Sequence, residues 1–356
     1  MQINKYLLLF FLSIATQSIS ADANSHNKAD SLLANFDYSA AVLYYQQYTS
    51  DNDSLRVFRK LAQCYRKLGD YKSEISSLLR IVPQDSLQHD DMRQIYYSYS
   101  RLQDTVSVDI WGKRILKEYP FDGDITASVA ADMMQKGDFL SAKTLTRNYL
   151  DNDSLNLFVW RQYGYSCYLL GDYETAKNSY IRLYKHGWNN YEVNLILGIC
   201  CGEMDRRDEA YCYLLTADKL KNGKDFTVLK LLADNSLKLG LAFESATYLE
   251  KAISIVQPDS SSMFHLYNKL GEAYFETRNY EKACNAFCHA SQMNPDHVLT
   301  YYNIAQMYNG MKDKENEIKY YKLFLEKSDK LPQNEENQEL VTNIKSIIDK
   351  IDNRKY

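Results

Sequence analysis

Apolar, small and polar positions follow one another along this chain in a pattern that comes round again. Tyr267, Leu270, Gly271 and Tyr274 stand at offsets 0, 3, 4 and 7, and Ala283, Phe287, Ala290 and Pro295 follow at 16, 20, 23 and 28. Within each group the spacing of three and four residues is that of a helix with one apolar face, so the segment predicts two paired helices joined by a turn. Turns in the same phase read Phe36-Asp37-Tyr38, Gly69-Asp70-Tyr71, Gln103-Asp104-Thr105, Gly137-Asp138-Phe139, Gly171-Asp172-Tyr173, Asp205-Arg206-Arg207, Gly240-Leu241-Ala242, Arg278-Asn279-Tyr280 and Lys312-Asp313-Lys314. Five residues after each turn begins comes a slot filled by Ala41, Glu74, Val108, Ala142, Ala176, Ala210, Ser245, Ala283 and Glu317, at successive spacings of 33, 34, 34, 34, 34, 35, 38 and 34.

The residue types have a physical reason. Small residues in the first helix (Ala62, Ala130, Gly164, Gly198, Ala233, Gly271, Ala305) let its partner helix approach closely. Bulky residues in the second (Tyr45, Leu78, Tyr180, Leu214, Leu249, Phe287, Tyr321) fill the space between them, which assigns much of the chain's complement of 31 Tyr to packing. The third repeat breaks the pattern, with Tyr96 in the small slot and Val108 and Gly112 in place of the usual Ala and aromatic. The first lacks a clear first helix. Glu74 and Glu317 predict looser or rotated packing where they replace Ala.

An aromatic, Leu-Gly, Tyr and then Ala, Phe and Pro over 34 residues is the signature of one helix-turn-helix repeat type, and the chain resembles the tetratricopeptide-repeat family. The resemblance implies an all-α fold, a right-handed α-solenoid of about nine helix pairs with a C-terminal capping helix. It also implies an interaction scaffold or adaptor, rather than an enzyme, that binds a protein or peptide in a concave groove. The cap is read from Leu340, Val341, Ile344, Ile347, Ile348 and Ile351, an apolar stripe that can cover the end of the last repeat.

Met1 to Ser20 carries Lys5, the apolar run Tyr6 to Leu12 and small residues before Ala21, which reads as a secretory signal peptide without a lipobox cysteine. The expected organisation is a signal peptide over 1–20, the solenoid over 21–327, and a polar connector with the capping helix over 328–356. The expected location is periplasmic or secreted, with no membrane span in the mature chain and a role in assembling cell-envelope components. Asn52-Asp53-Ser54 and Asn152-Asp153-Ser154 have the form of glycosylation acceptors, but their common phase reads better as helix caps at repeat starts.

A net charge of −4 gives no reason to expect nucleic acid. In the family, positions 2, 5, 9 and 12 of each first helix line the groove. By that rule the partner-binding residues are Arg56, Arg59, Gln63 and Arg66, then Arg93, Tyr97 and Arg101, then Phe158, Arg161, Tyr165 and Tyr168. Arg and Tyr favour an acidic or extended peptide, and a solvated helix face is the plainer reading. Replacing Arg59, Arg93 and Arg161 together with Glu is expected to leave stability nearly unchanged. The later groove (Leu195, Ile199, Leu237, His265, Asn268, Glu272, Phe275, Tyr302) reads as apolar to polar-neutral. Glu272 stands where a chaperone-carboxylate clamp needs Asn, so that mode is rejected.

The seven cysteines fall inside predicted helices in no disulfide framework. Cys284, Cys288 and His289 make a Cys-x-x-x-Cys-His run, one residue longer than a haem-attachment motif, and no cofactor is expected. There is no phosphate loop, no His-Glu-x-x-His and no Gly-x-Ser-x-Gly. A metal- or haem-carrying subunit and a self-assembling scaffold are the alternative functions.

Overall fold

The structure, a computed structural model, describes residues 28–48, 54–81, 87–255 and 260–352. The signal segment expected over 1–20 and the residues Asn52 and Asp53 lie outside them. Helices, and no strand, occur among the described residues. They are α1 (28–34), α2 (Tyr38–Tyr45), α3 (Ser54–Leu68), α4 (Tyr71–Leu79), α5 (His89–Arg101), α6 (Thr105–Glu118), α7 (Gly123–Gln135), α8 (Phe139–Leu150) and α9 (Leu157–Leu169). There follow α10 (Tyr173–Lys185), α11 (Tyr191–Glu203), α12 (Arg207–Leu220), α13 (Phe226–Lys238), α14 (Ala242–Ile255), α15 (Ser260–Glu276), α16 (Tyr280–Met293), α17 (Val298–Gly310), α18 (Lys314–Lys327) and α19 (Glu335–Asp352). The chain forms two compact units, Met1–Gln162 and Tyr163–Tyr356. The fold is all-α, a helical-hairpin repeat of the α-solenoid class.

Each hairpin turns on the same two residues. The first has positive φ, from 57° at Arg278 to 81° at Gly137, and reverses the chain. The second caps the next helix: Asp37, Asp70, Asp104, Asp138, Asp172, Asn279 and Asp313 each accept a hydrogen bond from the backbone N–H three residues on, as Asp70 does from Ser73 at 3.1 Å. Arg206 makes no such cap.

In every hairpin, two residues sixteen apart stand in matching slots of the two paired helices. The pairs are Ala29 with Tyr45, Ala62 with Leu78, Tyr96 with Gly112, Ala130 with Thr146, Gly164 with Tyr180, Gly198 with Leu214, Ala233 with Leu249, Gly271 with Phe287 and Ala305 with Tyr321. A Cβ added to Gly271 would lie 2.7 Å from the Phe287 ring, and one added to Gly198 would lie 2.7 Å from Leu214. In the third pair the sizes are exchanged. Tyr96 is buried, and a Cβ on Gly112 would meet its ring at 3.3 Å and Val129 at 2.7 Å. The first hairpin, whose first helix the sequence left unclear, follows the rule through the fully buried Ala29.

Glu74 and Glu317 do not loosen the fold: their exposures are 0% and 1%. Each has a partner that keeps it in place, Ser98 Oγ at 2.8 Å for Glu74 and Lys314 Nζ at 2.7 Å for Glu317. The first helices also repeat a cap that the sequence reading placed elsewhere. Asp122, Asn156, Asn190 and Asp225 accept from Ile125, Val159, Val193 and Val228. Asn156, not the Asn152-Asp153-Ser154 stretch, therefore caps α9; Asp153 instead accepts from Leu155 N and the Tyr149 hydroxyl. At the C-terminal end, Ile344 and Ile348 of α19 share a core with Tyr321, Phe324 and Leu331.

Candidate functional site

In the first unit, the first helices α3, α5 and α7 are joined by ion pairs reaching from one repeat to the next. Arg56 pairs with Asp30 at 2.5 Å. Arg59 grips Asp91 through Nε at 2.9 and 3.2 Å and through NH2 at 2.9 Å, and the Asp91 side chain is only 5% exposed. Arg93 reaches Asp124 at 2.6 Å and Asp122 at 3.6 Å, while His89 Nε2 lies 2.7 Å from Asp122 and stacks on Tyr119. Burial alone would lower the Arg93 pKa, but the hydrogen bond to Asp124 and the charge of Asp122 outweigh it and raise it. Arg66 lies 3.9 Å from Glu74, and Arg101 donates to the Tyr71 hydroxyl at 2.7 Å with its guanidinium over the same ring.

Arg56, Arg59, Arg93 and Arg101 therefore serve the repeat-to-repeat contacts, and Arg66 lies within its own hairpin. A Glu at position 59 would set a carboxylate against buried Asp91, so the triple Glu variant should destabilise the fold. Gln63 is partly buried, and Arg161 is partly buried and engaged.

Beside this ladder lies a cleft of about 280 Å³ between α5, α7 and α9. Tyr97 forms one wall and Phe158 the other, with Ala127 and Ala131 of α7 between them and Asp124, Ser128 and Gln162 supplying polar groups. Phe158 is 56% exposed. Tyr97 is held edge-on to Tyr96, ring centres 5.3 Å apart.

The cleft exists because of a size change within the repeat. One repeat apart in phase, the slot of Arg59, Arg93 and Arg161 holds Ala127, and that of Gln63, Tyr97 and Tyr165 holds Ala131. The fourth repeat thus leaves a notch where its neighbours project long side chains. Of the sequence-predicted residues, the structure brings Tyr97 and Phe158 together and puts Arg93 at the rim through Asp124. Sequence reasoning missed the notch residues by passing over the fourth repeat. Two alanines one turn apart in groove phase were the signal.

Tyr165 and Tyr168 belong to the second unit, where their rings stack at 5.8 Å and burial, then the neighbouring Tyr165, raises the Tyr168 pKa. The second unit also has a cleft of about 310 Å³, lined by Phe226, Lys230, His265, Leu266 and Lys269. Lys230 and Lys269 make it more basic than the neutral character expected of that half, although Lys269 is paired with Asp234. Among the described residues no group of three or more His, Cys, Asp or Glu converges to hold a metal ion, and no helix is long and apolar enough to cross a membrane.

Models of the tetratricopeptide repeat match residues 264–297, 299–326 and 26–88. With the recurring hairpin, cap and size-matched pair, these matches define the chain as a tetratricopeptide-repeat protein. Repeats of this kind are generally non-catalytic interaction modules, and the chain is a protein–protein interaction scaffold built from them. Solved structures with a similar arrangement include MamA, at 22% identity and a TM-score of 0.44, covering 49% of this chain and 92% of that one. YrrB, described as a TPR protein with an unusual peptide-binding site, is 18% identical with a TM-score of 0.48, over 54% of this chain and 96% of that one. A tetratricopeptide repeat protein from Parabacteroides merdae is 16% identical with a TM-score of 0.48, over 72% of this chain and 100% of that one. A comparison with curated protein sequences gives no match.

Proposed function

We propose that the first unit holds an extended segment of a partner protein across α5, α7 and α9, and that a bulky side chain of the partner enters the notch over Ala127 and Ala131. The observation that carries this reading is the notch itself, with Tyr97 and the half-exposed Phe158 as ready-made apolar walls. Aromatic walls give contact area at small entropic cost, and Ser128 and Gln162 offer hydrogen bonds to a peptide backbone. Because Arg56, Arg59 and Arg93 are already engaged with carboxylates, shape and apolar contact, rather than a demand for acidic residues, set the choice of partner. The signal-like residues 1–20 support a place outside the cytoplasm, where such a scaffold would organise envelope components.

The test is site-specific photocrosslinking in the native host with the probe at position 158, compared with a probe at exposed Leu140 on α8. A defined partner captured at 158, absent at 140 and lost when Ala131→Trp fills the notch, supports the proposal. Equal capture from both positions, or capture that survives Ala131→Trp in a protein of unchanged helicity, overturns it. Recovery of only this same chain would replace it with self-assembly.

A further inference from the structure

The notch over Ala127 and Ala131 has a single charged group in its lining, the carboxylate of Asp124. Arg93 holds that carboxylate through Oδ2 at 2.6 Å, and the Asp124 side chain is still 56% exposed. The same guanidinium reaches Asp122 at 3.6 Å, so one positive charge is divided between two carboxylates. With the His89 imidazole neutral, a negative charge is left over at the rim. Every other lining residue is uncharged: the rings of Tyr97 and Phe158, the two alanines, a hydroxyl from Ser128 and an amide from Gln162.

We propose that the side chain entering the notch is an arginine of the partner segment, its guanidinium against the Tyr97 and Phe158 rings and donating to Asp124. The proposal rests on the docking mode given above and specifies the side chain that this mode leaves open. A guanidinium is planar, weakly hydrated and attracted to aromatic faces. Its fork of N–H donors suits a carboxylate, and the donors left over can reach Ser128 Oγ and Gln162 Oε1, which line the same space. The methylene stem of an arginine covers apolar surface, here the two alanines, while its head stays at the polar rim.

Other occupants fit less well. An acidic side chain would meet Asp124 as a like charge. A purely apolar one would use the rings but would press the carboxylate out of water without pairing it, which is costly. Lysine would bring the charge without the plane or the fork. The groove arginines suggest an acidic partner when read as free cations. Once Asp91, Asp122 and Asp124 have claimed them, the charge left facing the partner at the notch is negative.

The experiment measures binding of short fluorescent Gly/Ser peptides, each with one variable central residue, to the full chain by anisotropy. That residue is arginine, its neutral isostere citrulline, lysine, phenylalanine or glutamate. The arginine peptide should bind best, with citrulline weaker by roughly 10-fold through loss of the ion pair and the cation–ring attraction. Asp124→Asn, which keeps an acceptor for Arg93, should weaken the arginine peptide by up to about 5-fold and leave the phenylalanine peptide unchanged. Asp151→Asn, at an exposed acid paired with Arg147 on α8, should change neither, which separates the notch from general attraction to acidic surface. Binding of the phenylalanine peptide that Ala131→Trp abolishes, with arginine no better than citrulline, would overturn the arginine and leave the notch as a docking site. No binding by any peptide, or binding that survives Ala131→Trp in a protein of unchanged helicity, would overturn both.

Discussion

Tyr96 and Gly112 occupy each other's expected places: the ring stands on the first helix of its hairpin and the glycine faces it from the second, the reverse of Gly164 and Tyr180 or Gly271 and Phe287. What looks in the sequence like a degenerate repeat is a repeat whose packing is mirrored. Gly112→Ala should cost about 1 to 3 kcal/mol by overpacking, since the new methyl would meet Val129 at 2.7 Å. Tyr96→Ala should cost more, about 3 to 5 kcal/mol, by leaving a cavity. The double variant Tyr96→Ala with Gly112→Leu restores the ordinary order of sizes and should recover part of both losses. Urea unfolding of the wild type, Tyr96→Ala, Gly112→Leu and the double variant closes a mutant cycle that measures the coupling, and additivity within error would refute the pairing.

The buried acid at position 74 predicts a pH dependence. Burial raises the Glu74 pKa above the ordinary carboxylate value, against the opposing effects of Ser98, Arg66 and Arg101. The fold therefore prefers the neutral acid. Its contribution to stability is present in full below the unfolded-state pKa and is lost as pH rises through the raised folded-state pKa. Glu74→Gln, neutral at every pH, should raise the melting temperature at pH 7 and change it little near pH 4. A larger gain in acid than at neutrality would contradict the sign.

Arg59 tests the ion-pair ladder. Removing it leaves Asp91 buried without its bidentate partner, although the Gln88 N–H still donates to that carboxylate at 2.9 Å. Arg59→Ala should therefore cost about 2 kcal/mol in chemical denaturation, within the range for stranding a buried charged acceptor. A loss below a few tenths of a kcal/mol would return Arg59 to the role of a solvated groove cation.

At the turns, Arg278 holds φ at 57°, a conformation that disfavours any side chain. Arg278→Gly should stabilise by about 1 kcal/mol or less, the relief of strain being partly offset by the greater freedom of glycine when unfolded. Denaturation midpoints of the two proteins decide it.

The period, the turn residues and the small slots were legible because each is a local demand: a left-handed residue, a cap, a close approach. The ion pairs of Arg59 and Arg93 were not, because their partners lie on the next first helix, 32 and 31 residues away, and a groove position does not say whether its neighbour will claim the charge. Asp122, Asn156, Asn190 and Asp225 show the limit from the other side. They keep the repeat period and were readable, yet the cap-rich stretch before α9 drew attention from the residue that caps it.

The C-terminal helix offers a further check. Ile344→Ala opens the core shared with Phe324 and Tyr321 and should cost roughly 2 to 5 kcal/mol. Hydrogen exchange should accelerate first in α18 and α19, as expected when the end of a stack is uncovered. Uniform acceleration along the whole chain would speak against α19 as a terminal cover.

The sixteen-residue pairs restrict how such a chain can change. Wherever one member of a pair is large the other is small, so passing from Gly-opposite-Tyr to Tyr-opposite-Gly by single substitutions must go through either two large side chains that collide or two small ones that leave a hole. Ala130 opposite Thr146 sits midway on the gentler of these routes, its hydroxyl satisfied by the Ala142 carbonyl at 2.7 Å. The hairpin next to the mirrored one thus pairs two small residues, the combination that the gentler route requires.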